Sequence, residues 1–135
     1  MALFHWSEKY SVHISTIDEQ HKKLFDLIND LHEAIVNEAD VSIARKVVVE
    51  LVNYTLQHFI YEENLLEEHG YPDLEDQRRE HDDLTDKVMH YKKGLEAGTD
   101  IDLTELMSFM LEWLQEHILR SDMKYSPYLK ERGVN

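Results

Sequence analysis

Histidine and carboxylate side chains interrupt the apolar stripes of four predicted helices. The interrupting residues are His21 in the first helix, His58 and Glu62 in the second, His81 in the third and His117 in the fourth. His58 and Glu62 lie four positions apart, so they project from one helix face. Burying such groups together is unfavourable unless each finds a partner, and a metal would supply that partner to all of them. The pattern therefore predicts a metal site inside a helical bundle. The other histidines are expected to lie away from it: His5, His13, His32, His69 and His90.

The ligand types narrow the choice of metal. The 135-residue chain has no cysteine, which excludes disulfides, iron–sulfur clusters and thiolate zinc sites. Imidazole and carboxylate ligands suit iron, manganese, zinc or copper. Glu62 and Asp122 are candidate bridging carboxylates, and two bridges favour a pair of ions over a single ion. Asp122 follows His117 by five residues, which places it off the ideal α-helical face by more than a third of a turn. It needs a local distortion, such as a π-bulge, to reach the same metals.

Four helices would position these side chains. Apolar residues recur every three or four positions in four segments, which begin near Thr16–Asp18, Ser42, Asp73 and Asp102–Thr104. Ser42 is the expected cap of the second helix, and Gly70 and Pro72 should end it. Short connections between helices of about 20 residues predict antiparallel neighbours. We therefore predict an all-α, antiparallel up-down-up-down four-helix bundle. It should form a single domain over residues 1–135, with an irregular N-terminal arm and a C-terminal tail at residues 125–128 that packs back on the bundle.

Composition limits the partners and the location. Hydrophobic residues make up 42% of the chain and charged residues 31%, a balance typical of globular proteins. The net charge of −14 disfavours binding to nucleic acid or anionic lipid. The N-terminal sequence lacks the layout of a signal peptide, and no apolar run approaches the roughly 20 residues that span a bilayer. We expect a cytoplasmic protein, monomeric or weakly oligomeric, that binds neither nucleic acid nor membranes.

These motifs together resemble those of the bacterial hemerythrins over the whole chain. The family pattern is an isolated His on the first helix, HxxxE on the second, HxxxH on the third and HxxxxD on the fourth. This chain supplies His21 in DEQHKKLF, His58 and Glu62 in HFIYEE, and His117 and Asp122 in HILRSD. The GYP turn and the C-terminal YSPYL are also similar.

The resemblance implies a non-haem di-iron centre. Glu62, Asp122 and an oxo or hydroxo group would bridge the two irons. One iron would be held by His81 and His117, and the other by His21 and His58. The resemblance further implies that dioxygen binds reversibly, end-on, at the iron held by His21 and His58.

Gln77 departs from the family pattern. The third-helix motif is QRREH, so Gln77 stands where the family has the first His of HxxxH. Gln77 could ligate iron through its amide oxygen, or stay back and leave a position open to water or an exogenous ligand. Either outcome should weaken iron retention and change the redox balance of the centre.

Three functions are compatible with this sequence. The expected one is non-enzymatic: dioxygen storage, delivery or sensing, with a dry cavity whose candidate lining is Leu24, Thr55, Met110 and Leu114. The alternative is a di-iron oxidase or peroxidase, or a protein that reacts with nitric oxide or peroxide because Gln77 opens the first iron. The HxxxE spacing counts against it, since ferritin-like enzymes carry Glu-x-x-His pairs. The third is a sensory or scaffold module that signals through a partner.

Overall fold

Four long helices form an antiparallel bundle in the computed structural model, which describes residues 3–38, 40–99 and 101–135. The helices are α1 (Ser15–Val36), α2 (Val41–Glu68), α3 (Leu74–Glu96) and α4 (Leu103–His117). A π-helical turn (Ile118–Asp122) continues α4 into α5 (Met123–Glu131), and a 3₁₀ turn (Glu8–Tyr10) lies in the N-terminal arm. α1 and α3 each pack against α2 and α4. The predicted all-α four-helix bundle is confirmed.

The two ends of α2 are fixed by local hydrogen bonds. Asp40, and not Ser42, caps the start, because its carboxylate accepts a hydrogen bond from the Ser42 backbone N–H at 2.8 Å. The predicted cap was therefore wrong by two residues. Gly70 ends the helix as predicted, with a φ of 65° that suits glycine. The turn lets the Tyr71 N–H donate to the Leu66 carbonyl at 3.0 Å.

The C-terminal segment differs in shape from its prediction. The predicted tail is helix α5, a direct continuation of α4 that includes Pro127. Tyr125 and Leu129 are buried, so the segment does pack on the bundle. A continuous helix pairs the backbone groups of the segment internally, apart from the N–H that Pro127 lacks. The π-turn changes the phase of the helix so that these apolar side chains face inward.

The polar residues of interest lie between two apolar clusters. The larger cluster includes Leu24, Phe59 and Ile118, and the smaller one includes Ile17, Leu66 and Tyr125. His21 falls between Ile17 and Leu24 on α1, and Glu62 falls between Phe59 and Leu66 on α2. The bundle therefore encloses a polar layer with apolar packing on both sides.

Candidate metal centre

All seven residues predicted for the site are buried and lie in this polar layer. They are His21, His58, Glu62, Gln77, His81, His117 and Asp122, and none is more than 5% exposed. The remaining histidines are exposed or half-buried. The site has an α1–α2 half, formed by His21 and His58, and an α3–α4 half, formed by Gln77, His81 and His117.

The α1–α2 half presents two imidazole nitrogens to the carboxylates. His21 Nε2 lies 3.2 Å from Asp122 Oδ2 and 3.7 Å from Glu62 Oε2. His58 Nε2 lies 3.4 Å from the same Glu62 oxygen. The two rings meet edge to face, with centroids 4.8 Å apart.

The α3–α4 half uses the other oxygen of each carboxylate. His81 Nε2 lies 2.9 Å from Glu62 Oε1, and His117 Nε2 lies 3.1 Å from Asp122 Oδ1. These two imidazole nitrogens are 3.1 Å apart. The Gln77 side-chain amide donates a hydrogen bond to Asp122 Oδ1 at 3.1 Å. Glu62 and Asp122 therefore each divide their two oxygens between the halves, an arrangement suited to bridging two ions.

The π-turn brings Asp122 to this position. With one extra residue in the turn, the helix offsets most of the phase error that a five-residue spacing creates in an α-helix. Asp122 is fully buried, as is Tyr125 just beyond it. The distortion that the sequence required is present.

A set of polar side chains holds the imidazoles from outside. His58 Nδ1 lies 2.6 Å from Gln20 Oε1, His81 Nδ1 lies 2.9 Å from Glu63 Oε2, and His117 Nδ1 lies 3.4 Å from Glu80 Oε1. An Nδ1–H donated outward leaves the Nε2 lone pair directed into the site, the usual arrangement for histidine ligands.

The sequence prediction missed these outer partners. Gln20 and Glu80 directly precede site histidines and Glu63 directly follows Glu62, which is the only signal the sequence offers. Tyr125 was also missed as a contact, and its hydroxyl donates to Glu62 Oε2 at 2.7 Å.

Aromatic rings support the α3–α4 half. Phe59 stacks on His81 at 3.8 Å between centroids and 5° between planes. Trp113 stacks on His117 at 4.4 Å and 17°. Such contacts restrict ring rotation, so both imidazoles are held by an acceptor at the rim and an aromatic face beside it.

Charge within the layer shifts the pKa values of its members. Burial lowers the pKa of His21, but the adjacent carboxylates of Asp122 and Glu62 outweigh burial and raise it to about 9. Burial is likewise outweighed at His117, whose pKa rises to about 10 because of Asp122. Burial and Glu62 would raise the pKa of Asp122, but His117 and His21 hold it at about 2. Protons balance the carboxylates in the metal-free chain, and a metal must displace them.

The donor set fits a pair of metal ions. Two groups of ligand atoms, each within 4.8 Å, share Glu62: His21–His58–Glu62 and Glu62–His81–His117. Several buried polar atoms here lack a hydrogen-bond partner within the described part of the chain: both ring nitrogens of His21, Glu62 Oε1, Gln77 Oε1 and Asp122 Oδ2. Buried polar atoms are ordinarily satisfied. Because these unpartnered atoms all lie at one place in the bundle, we infer that they are positioned to bind metal ions.

Comparison with known proteins agrees with this geometry. Residues 12–129 match the family model of the hemerythrin HHE cation binding domain. The chain is 35% identical over 130 residues to a bacteriohemerythrin of Stenotrophomonas maltophilia (strain R551-3), covering 96% of this chain and 84% of the relative. It is 34% identical over 127 residues to a bacteriohemerythrin of Clostridium acetobutylicum, covering 91% and 98%. The crystal structure of a wild-type hemerythrin has a TM-score of 0.89 at 30% identity, covering 93% of this chain and 97% of that chain.

The fold and the site together define a helical protein with a buried histidine–carboxylate centre able to hold metal. The chain belongs to the hemerythrin family. Within the described ranges, no helix combines the length and apolar character needed to cross a membrane.

Proposed function

We propose that this protein binds dioxygen reversibly at two non-haem irons held by the buried layer. His21 and His58 would hold one iron, His81 and His117 the other, and Glu62 and Asp122 would bridge them. The observation that carries the proposal is the division of each carboxylate's oxygens between two pairs of imidazoles. Membership of the hemerythrin family supports iron as the metal and dioxygen as the ligand.

When bound, the irons supply the electrons for reversible dioxygen binding, and the chain supplies their surroundings. Gln20, Glu63 and Glu80 keep the imidazoles oriented, since each accepts from an Nδ1 nitrogen at the rim. The Tyr125 hydroxyl orients Glu62 by donating to one of its oxygens.

Apolar side chains would exclude water from the α1–α2 half. The candidate lining residues Leu24, Met110 and Leu114 are buried. Thr55 is also buried, and its hydroxyl donates to the Leu51 carbonyl at 2.7 Å, so its hydrogen bond is made within the helix. Surroundings of this kind favour binding of a small apolar gas over water.

Iron content and optical spectra of the purified protein test the proposal. We expect two irons per chain and a visible charge-transfer band that forms when the reduced protein meets dioxygen and disappears when dioxygen is removed. His58→Ala should lose the band, while His90→Ala, an exposed histidine on α3, should keep it. A protein that holds a single iron, or none, contradicts the proposal.

The second candidate is reactivity with peroxide or nitric oxide, or oxidase activity. The observation that favours it is Gln77, whose amide replaces an imidazole in the α3–α4 half and leaves its carbonyl unpaired. Rapid, irreversible bleaching or multiple turnovers on exposure to dioxygen or peroxide would support this candidate over the reversible carrier. Loss of a specific binding partner on deoxygenation would instead indicate a sensory role.

A further inference from the structure

The Gln77 side chain has an oriented amide with an unused oxygen. Its Nε2 donates to Asp122 Oδ1 at 3.1 Å, and the reverse orientation would place the amide oxygen against a carboxylate oxygen. The orientation leaves Gln77 Oε1 as an acceptor without a partner, although the residue is only 2% exposed. Buried acceptors are ordinarily hydrogen-bonded, so we expect a donor to bind at this oxygen.

The half of the site that contains Gln77 is short of ligands. His81 and His117 are its only imidazoles in the described chain, and Glu62 and Asp122 contribute one oxygen each. Two histidines with carboxylate oxygens form a ligand set that leaves open positions on an iron-type ion. The amide of Gln77 lies beside this half, bonded to Asp122.

A narrow surface cleft reaches Gln77. Its other lining residues are Tyr71, Asp73, Asp76, Glu80, Ser121 and Lys124, and its volume is about 20 Å³. A space of this size holds about one water molecule. Three of the lining side chains are carboxylates and one is an ammonium, so the cleft favours a neutral molecule over an anion.

We propose that Gln77 forms a second exogenous-ligand position, at the metal held by His81 and His117. Its ligand is a neutral, hydrogen-bond-donating molecule of water or hydrogen peroxide size, which enters through the cleft and donates to Gln77 Oε1. Gln77 therefore selects the exogenous molecule that binds in this half and does not itself replace the family histidine as a metal ligand. The inference rests on the two-metal centre proposed above.

Water itself is the probe in the decisive experiment. The metal-free protein is loaded with Mn²⁺, and the Mn²⁺ content per chain and the proton relaxivity of the solvent are measured together. We expect an exchangeable water in the wild-type protein. Gln77→His should remove its contribution to relaxivity by supplying an imidazole. Gln77→Leu should remove it because an apolar side chain of similar size lacks the acceptor oxygen.

Gln57→His is the matched control. Gln57 is an exposed residue of α2, so the substitution adds an imidazole away from the cleft. Its relaxivity should equal that of the wild type. A second arm uses azide as an anionic probe: Asp73→Asn with Asp76→Asn should move the azide titration midpoint to lower concentration, because two charges of the cleft are removed.

The outcomes separate this inference from the function on which it rests. Wild-type relaxivity without an exchangeable water, or unchanged relaxivity in both Gln77 variants at full loading, overturns the second ligand position and leaves the two-metal centre intact. Loading that stops short of two ions in the wild type, with Mn²⁺ and with iron, overturns the proposed centre itself.

Discussion

The two halves of the centre have the same number of histidines but different surroundings. In the α1–α2 half, His21 and His58 meet each other edge to face and are almost fully buried, and the outer partner of His58 is the neutral amide of Gln20. In the α3–α4 half, His81 and His117 are backed by Phe59 and Trp113 and by the rim carboxylates of Glu63 and Glu80. Small surface clefts of about 20 and 60 Å³ reach Gln77 and His117 in this half.

Because of this difference, the two halves should admit different small molecules. An enclosed half excludes water and suits an apolar gas, whereas a half next to polar clefts admits water and neutral donors. Carboxylate acceptors at the rim also increase the electron density of the imidazoles they contact. The two ions should therefore differ in ligand exchange even though each is held by two histidines.

Asp122→Asn should have the largest effect, because it alters both halves at once. An amide in place of the shared carboxylate removes the negative charge that faces His21 and His117. Loss of a ligand should exceed the roughly 10–100-fold loss of affinity that follows from removing an outer partner. Competition with a chelator measures it. Asp83→Asn, at an exposed position of α3, is the control. Retention of both irons in Asp122→Asn would disprove the bridging role.

Glu63→Gln should weaken metal binding in one half of the centre and not in the other. Glu63 accepts from His81 Nδ1, so a weaker acceptor should reduce affinity by about 10–100-fold in the α3–α4 half alone. Glu67→Gln is a close control, since Glu63 and Glu67 both pair with Arg78 but Glu67 is exposed. Iron release to a chelator should become biphasic in Glu63→Gln only. Equal release from both halves would argue against independent outer support.

The metal-free protein should lose stability as the pH rises. The pKa values of His21 and His117, about 9 and about 10 when folded, lie above the 6.5 of an unperturbed histidine. Their contribution to stability is complete below pH 6.5 and is lost as the pH passes through these folded values. The urea midpoint should fall between about pH 7 and about pH 10, and much less after metal loading. A midpoint that is flat or rises in the metal-free protein would show that these histidines are not protonated.

Trp113→Leu should have the smallest effect. The ring stacks on His117, and such pairs contribute about 0.5–1.5 kcal/mol beyond the area they bury. We expect a stability loss of that size and a spectral change confined to the iron of the α3–α4 half. Phe109→Leu, one turn earlier on α4, is the control, because Phe109 contacts Lys87 and not a site histidine. Identical spectra in the two variants would show that the stacking does not affect the metal.

The sequence predicted the parts of the site that depend on helical phase. His58 and Glu62 are one turn apart on the inner face of α2, and Gln77 and His81 are one turn apart on α3, so their proximity follows from periodicity. Asp122 was predicted to need a distortion, and the π-turn supplies it.

The outer partners could not be predicted in the same way. Gln20, Glu63 and Glu80 are polar residues at the edges of helix faces, where the pattern is the same for an ordinary solvated side chain. Whether such a residue reaches an imidazole depends on the rotation and spacing of two helices packed together. That information is absent from the period of a single segment. The helical form of α5 was missed for a different reason: Pro127 normally indicates the end of a helix, and here it lies inside one.

Because of the π-turn, the number of residues after His117 decides whether Asp122 and Tyr125 face the centre. Winding the same residues as an α-helix would rotate Asp122 and everything after it by about 100° relative to His117. Asp122 would leave the centre, and Tyr125 would leave Glu62 in the same movement, because both depend on a single offset. Removing one residue between His117 and Asp122 would instead leave a four-residue spacing, which an α-helix keeps on one face, so the site should survive without the π-turn. A further inserted residue should dismantle the site, whereas many substitutions on the outer surface of the same segment should be tolerated. The segment between His117 and Asp122 is therefore a spacer whose residue count and winding must match.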